Sequence, residues 1–189
     1  MNQSEKKRVD ARNNKAQIVT VASSLFQNHG VEAVSMQKIA QQAGVGIGTL
    51  YRHFKNKSVL CLELIDEDVE KFFTKVDNFL ENSVDKDVKS RGEKLIGFII
   101  DLKEENLEML TAIENSGDKD KSFLQTPFYQ RLQVIFADLF DKCPHIKDPE
   151  FHADLLLNAF SSDIYNYQRF NKQLTKEQLC SKIRDSFFL

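Results

Sequence analysis

The chain has 189 residues, 41% of them hydrophobic, with a net charge of −2 and only seven glycines and three prolines. That length buries a core and fits one or two domains, and no apolar run approaches the ~18 residues that cross a bilayer. The basic start MNQSEKKRVDARNNK lacks the apolar stretch of a secretory leader, so a cytoplasmic location is expected, and three scattered cysteines, Cys61, Cys143 and Cys180, argue against a disulfide framework.

The charge is unevenly spread. Residues 1–57 hold nine lysines and arginines against three acidic residues, a net +6, and the remainder holds seventeen against twenty-five, a net −8. A basic end on an acidic body points to a polyanion meeting the first part, although a solvated basic tail gives the same charge.

From Asn14 to His29, Ile18, Ala22, Leu25 and Phe26 fall on one helical face, and Gly30 follows as a C-terminal cap. Ser35 is placed to cap a short helix over about 35–43, with Met36, Ile39, Ala40 and Ala43 inside and Gly44 ending it. A third short helix is expected over about 46–54, turning Leu50 and Phe54 inward. After KNKS, Val59, Ile65, Val69, Phe72, Phe73, Val76, Phe79 and Leu80 recur at helical spacing. Leu95, Ile99, Leu102, Leu107, Leu110 and Ile113 mark one or two more helices, stopped by NSGDKDK. Thr126-Pro127 and Asp148-Pro149 each set a capping side chain before a proline at the first helical position. The first opens a helix with Phe128, Leu132, Ile135, Phe136, Leu139 and Phe140; the second opens one running from Glu150 towards Phe170. Thr175-Lys176-Glu177-Gln178 is a capping box before a last helix. The expected fold is all-α, with about nine helices.

The stretch GVGIGTLYRHF, Gly44 to Phe54, packs three glycines into five residues. A dinucleotide or phosphate loop requires a strand before it, and Met36 to Ala43 are helical in pattern; the later glycine of that fingerprint and a Gly-Lys-Ser/Thr are also missing. A helix–turn–helix fits: the second helix enters the DNA major groove with its first residues at the base edges. Bare backbone there approaches phosphates and bases closely. Thr49, Tyr51, Arg52 and His53 are then available for contact. A capped helical hairpin without a DNA role is the alternative on local pattern alone.

From Ala22 to Lys57 the chain reads A-x-x-LF-x-x-x-G-x-x-A-x-S-M-x-x-IA-x-x-AGV-x-x-GTLY-x-HF-x-x-K. This resembles the TetR (tetracycline-repressor-like) family of bacterial transcription regulators over about the first third of the chain. The resemblance implies a helix–turn–helix DNA-binding domain at 1–57 and a helical effector-binding and dimerisation domain at 58–189. It implies DNA contacts at Ser35, with Met36 and Gln37 beside it, at Gly46, Ile47, Gly48 and Thr49 heading the recognition helix, and at Tyr51, Arg52, His53 and Lys57. Gly46-Ile47 departs from the family's common Ser-Lys, removing a hydroxyl and a charge and shifting readout towards Arg52.

The resemblance also implies a homodimer formed by the last two helices, here carrying Phe151, Leu155, Ala159, Phe160, Ile164, Tyr167, Leu179, Ile183 and Phe187, with ordinary intrachain core as the alternative for each. A small-molecule effector is expected against Phe72, Phe73, Phe98, Leu102, Met109, Phe123, Phe128, Tyr129 and Phe136, an apolar and aromatic region that suits an apolar or aromatic ligand; plain core is again the alternative. Cys143-Pro144-His145 with His152 matches no common zinc spacing, and no catalytic constellation stands out, so no metal, no cofactor and no enzyme activity are expected. The resulting expectation is a repressor that binds a near-palindromic double-stranded operator and is released by its effector. A DNA-binding activator, an effector-independent regulator and an enzyme using the aromatic body are the other readings.

Overall fold

The computed structural model describes residues 3–115 and 123–188, with backbone alone at residues 3–10 and at Phe123. Among these residues there are ten α-helices and no strand, as the all-α expectation requires. The side chains of Lys6, Lys7 and Arg8 and most of the NSGDKDK stop lie outside the described residues.

The first helix, α1 (Gln3–His29), starts well ahead of Asn14. Residues 3–13 contain no proline or glycine, so the helix continues beyond its apolar stripe. It ends at Gly30, whose φ of 79° is the left-handed conformation glycine adopts without penalty. Next come α2 (Met36–Gln42) and α3 (Ile47–His53). Helices α1, α2 and α3 pack on one another and bury Ile18, Ala22, Leu25, Ile39, Leu50 and Phe54. The long α4 (Lys57–Glu81) is capped by Asn56, whose Oδ1 accepts from the Val59 N–H at 2.9 Å. It is followed by α5 (Val88–Glu105), capped by Asp87, and α6 (Leu107–Glu114).

Two compact units result. One takes the chain to Asp66 and adds the stretch from Glu108, that is, nearly all of α6; the other takes Glu67–Leu107 and the residues from Phe123 on. The expected boundary at 57/58 falls at the start of α4, whereas the units part within that helix, and α6 belongs with the first unit although body residues were expected there. Leu110 and Ile113 of α6 are buried.

From Phe123 the second unit resumes with a 3₁₀ turn (Phe123–Gln125) and continues through α7 (Pro127–Phe140), α8 (Pro149–Asn158), α9 (Ser162–Asn166), a π-helical turn (Tyr167–Asn171) and α10 (Lys176–Phe187). The caps read from sequence are made: Thr126 accepts from the Tyr129 N–H, Asp148 from the Phe151 N–H, and Thr175 and Gln178 form a reciprocal box. Here α7 packs against α8 and α10 against α5. A single apolar cluster includes Phe72, Val76, Ile96, Phe136, Phe140, Leu156, Tyr165 and Phe188.

One helix expected from Glu150 towards Phe170 is interrupted. The N–H groups of Ala159, Phe160 and Ser161 turn to carbonyls three residues back, and Ser161 is extended (φ −54°, ψ 145°). The tightened turn keeps Phe160 in the core and lets Ser161 restart the chain as α9. Gln173, at φ 57°, then stops the π turn in the left-handed region. Gly92 in α5 is a point of close approach: a Cβ there would lie 2.4 Å from the Phe188 ring, which stacks on Phe140 at 4.9 Å.

Candidate nucleic-acid interface

The helix–turn–helix is assembled from local signals. Ser35 Oγ accepts from the Lys38 N–H at 3.1 Å, starting α2. After Ala43 the chain turns at Gly44, whose φ of 63° favours glycine, and the Val45 N–H reaches back to the Ala40 carbonyl at 3.1 Å. Gly46 is the N-cap of α3, its carbonyl accepting from the Thr49 and Leu50 N–H groups. Leu50 and Phe54, 0% and 1% exposed, fix α3 to the unit.

That anchoring decides which side chains face water. Ser35, Gln37, Gly46, Ile47, Gly48, Tyr51 and Arg52 are exposed, and Thr49 is half-buried. Arg52 Nη2 donates to Thr49 Oγ1 at 3.3 Å, one turn earlier on the same helix. Three expected contact residues sit differently. Met36 is buried, because it belongs to the inward stripe of α2 with Ile39 and Ala40. His53 is half-buried against Phe54, with Nε2 enclosed and unpartnered. Lys57 donates from Nζ to the carbonyls of Val31 (2.7 Å) and Glu32 (3.2 Å), which closes the loop before α2.

The same loop is held from the far side. Glu108 Oε2, in α6, accepts from the Val31 N–H at 2.7 Å, and Ser58 Oγ donates to the Ala112 carbonyl at 2.9 Å. Sequence reasoning did not find Glu108 or Ser58 as supports. Their partners lie 77 and 54 residues away, and no local pattern marks such bonds.

In the second unit, Phe72, Phe73, Phe98, Leu102 and Phe136 are buried core, with Phe128 and Tyr129 packed against it. Phe72, Phe73 and Phe128 are in mutual ring contact at 5.0–5.9 Å. Tyr129 Oη donates to Asp154 at 2.8 Å. Met109, expected with this group, lies on α6 in the first unit: helical spacing shows that a residue is inward-facing, not which core it enters. The Phe123 side chain lies outside the described residues. A recess of about 200 Å3 reaches Phe72, Phe98 and Leu102, and its rim is charged, with Asp68, Lys71, Lys75, Asp101 and Glu105.

The residues expected at a dimer face divide in two. Phe151, Leu155, Ile164 and Tyr167 are exposed, at 57%, 44%, 39% and 52%. Phe160, Leu179 and Ile183 are buried within this chain, and Ala159 and Phe187 are half-buried, because α10 spends its apolar stripe on α5. Phe170, also exposed, extends the first group.

Burial pushes the Cys61 thiol up to about 11, against the pull of Lys57, and burial likewise raises Cys143 and Cys180. Thiols in that state are poor nucleophiles at neutral pH. Among the described residues no group of His, Cys, Asp and Glu is placed to hold a metal ion, and no helix is long and apolar enough to cross a membrane.

The family model described as bacterial regulatory proteins, tetR family, matches residues 18–64, a span that contains α2, its turn and α3. Over nearly its whole length the chain is similar to the HTH-type transcriptional regulator SAR0097 of Staphylococcus aureus, with 36% identity over 183 residues, 96% of each chain. A second regulator of that organism, SAR2658, is 34% identical over 173 residues, 90% of each chain. Among solved structures the fold is similar to Thermus thermophilus FadR, a TetR-family transcriptional repressor in complex with lauroyl-CoA, with TM-score 0.67, 14% identity and coverage of 93% and 95%. It is also similar to the fatty acid degradation regulator FadR of Bacillus halodurans, with TM-score 0.63, 18% identity and coverage of 92% and 94%. These relatives are regulators and not enzymes. With its helix–turn–helix at the matched residues, the chain belongs to the TetR family of DNA-binding transcriptional regulators.

Proposed function

We propose that the protein is a ligand-responsive repressor that binds a near-palindromic operator as a homodimer and leaves it when a small molecule occupies the second unit. The observation that carries this reading is the division of α3: Leu50 and Phe54 are buried, while Ile47, Gly48, Tyr51 and Arg52 face outward at the matched helix–turn–helix. Ser35 and Gln37 and the backbone at Met36 and Gly46 serve phosphate contact, and Thr49, Tyr51 and Arg52 serve the groove. Phosphate contacts give affinity and base contacts give specificity. Lys57 acts mainly by shaping the loop before α2, and His53 by packing.

Dimerisation is assigned to the exposed apolar group Phe151, Leu155, Ile164, Tyr167 and Phe170. Two recognition helices then meet successive turns of DNA, ~34–36 Å apart for the simplest spacing. An effector that binds better to a dimer with another spacing weakens DNA binding by that difference in affinity. The effector is assigned an apolar chain or ring seated against Phe72, Phe98 and Leu102. Acyl-CoA complexes of two FadR proteins with this fold, one with lauroyl-CoA and one with stearoyl-CoA, support an apolar ligand.

Fluorescence anisotropy with duplexes from the promoter of its own gene, against random duplexes, tests the reading. Specific binding that Arg52→Ala reduces by about 1–3 kcal/mol is expected. Equal affinity for both duplexes would sink sequence-specific repression, and a monomer by light scattering at micromolar concentration would sink the dimer.

A further inference from the structure

Ile47 opens α3 with 43% of its surface exposed, between Gly46 and Gly48. At either glycine an added Cβ would meet nothing within 4 Å, and neither has left-handed backbone. Neither packing nor turn geometry within the chain therefore calls for glycine at 46 or 48. Glycine is a poorer helix former than alanine, so Gly48 weakens a helix of only seven residues with no internal return. What the segment presents is bare backbone with one branched hydrocarbon standing on it. The polar side chains of α3 all lie further along, at Thr49, Tyr51, Arg52 and His53, and Arg52 bonds Thr49.

We propose that Ile47 is a specificity residue that reads thymine, laying its side chain against the C5-methyl group of a thymine in the half-site. The inference rests on α3 being the recognition helix. Base edges in the major groove carry nitrogen and oxygen acceptors and amino donors, and the thymine methyl is the one apolar group among them. Cytosine at that position carries only hydrogen at C5, so the isoleucine loses the methyl it packs on, and an amino donor replaces thymine's O4 acceptor beside it. The bare backbone on either side lets the helix sink far enough for a four-carbon side chain to reach the base edge.

The test begins by selecting operators from a random duplex pool with the wild-type protein. Each thymine of the selected half-site is then replaced by deoxyuridine, which removes the methyl and keeps every hydrogen-bonding group. At one position, deoxyuridine is expected to weaken wild-type binding about fourfold per half-site, the factor equivalent to about 0.8 kcal/mol for one methyl-sized apolar contact. Ile47→Ala, shown folded by its thermal melt, is expected to bind the two duplexes equally. A wild type indifferent to deoxyuridine at every position, or a loss that persists in Ile47→Ala, overturns the proposal. A protein that enriches no sequence from the pool refutes the recognition-helix reading itself. One that enriches a sequence, loses preference with Arg52→Ala and ignores the methyl refutes Ile47 alone.

Discussion

The carboxylate of Glu108 accepts a 2.7 Å hydrogen bond from the Val31 N–H, so a helix that follows α5 in the chain holds the loop that leads into α2. Glu108→Ala leaves that part-buried N–H unpaired and should lower stability by about 1–3 kcal/mol, while Glu108→Gln keeps an acceptor and should cost less. Gly30, at φ 79°, has its missing Cβ 3.1 Å from Glu108 Oε2, so Gly30→Ala adds about 1–2 kcal/mol of backbone strain and displaces the carboxylate. Urea unfolding of the three variants checks the order; alanine and glutamine at 108 behaving alike would show that the bond contributes nothing.

Lys57 offers a separable prediction. Its ammonium bonds two backbone carbonyls, so Lys57→Met should lose about 1–2 kcal/mol of stability while retaining the aliphatic stem. A lysine that only bound phosphate would instead leave stability unchanged and reduce the salt dependence of DNA binding by about one unit of slope. Thermal unfolding and a salt titration of DNA affinity, done on the same variant, tell the two apart.

Gly92→Ala should destabilise the second unit by about 1–3 kcal/mol, because its new methyl meets the Phe188 ring at 2.4 Å and Phe188 is held in a stack with Phe140. Phe188→Ala empties the same space and should cost about 3–5 kcal/mol by itself. In that background the extra cost of Gly92→Ala should vanish. Additive losses in the double variant would mean that the two residues do not share the clash.

Acid should loosen the region around α9 through Glu104. Burial opposes its charge, but hydrogen bonds from Arg169 Nε (2.7 Å) and Tyr165 Oη (2.5 Å) outweigh it and hold its pKa below the usual 4.5. A carboxylate whose folded pKa is depressed stabilises fully above its unfolded value and loses that contribution as the pH falls through the folded one. Stability should therefore be flat near neutrality and decline below about pH 4.5 through this group, more steeply in wild type than in Glu104→Gln. Parallel declines in denaturant titrations at pH 7, 5 and 4 would remove Glu104 from the acid response.

The caps at Ser35, Thr126, Asp148 and Thr175 were legible because each is a contact between residues three apart, and the Gly44 turn was legible because glycine is the residue that takes left-handed backbone most readily. The halt at Ala159–Ser161 was not, since it contains neither glycine nor proline and the apolar spacing runs straight through it. Apolar stripes show which face turns away from water, not what covers it. For that reason Leu179 and Ile183 read the same as Phe151 and Leu155, although the first pair is buried in this chain and the second is exposed. A positive charge likewise says nothing of its partner: Lys57 reads as a phosphate ligand, and it meets two carbonyls. Met109 and Glu108 fall to the unit that α6 joins, a choice made by bonds spanning more than 50 residues and invisible in any window of sequence.

The place of α6 has a consequence for how the protein is made. A ribosome releases the chain from the N-terminus, and a domain encoded in one stretch can fold as soon as it emerges. The first unit is not encoded in one stretch, since Glu108 of α6 ties its loop and the Ala112 carbonyl accepts from Ser58. The bonds from α6 to the first unit form only after α4 and α5 have been synthesised. A nascent chain stopped at Asp66 thus lacks both of these bonds. The loop before α2 therefore gains its last support only when the chain has been made as far as α6.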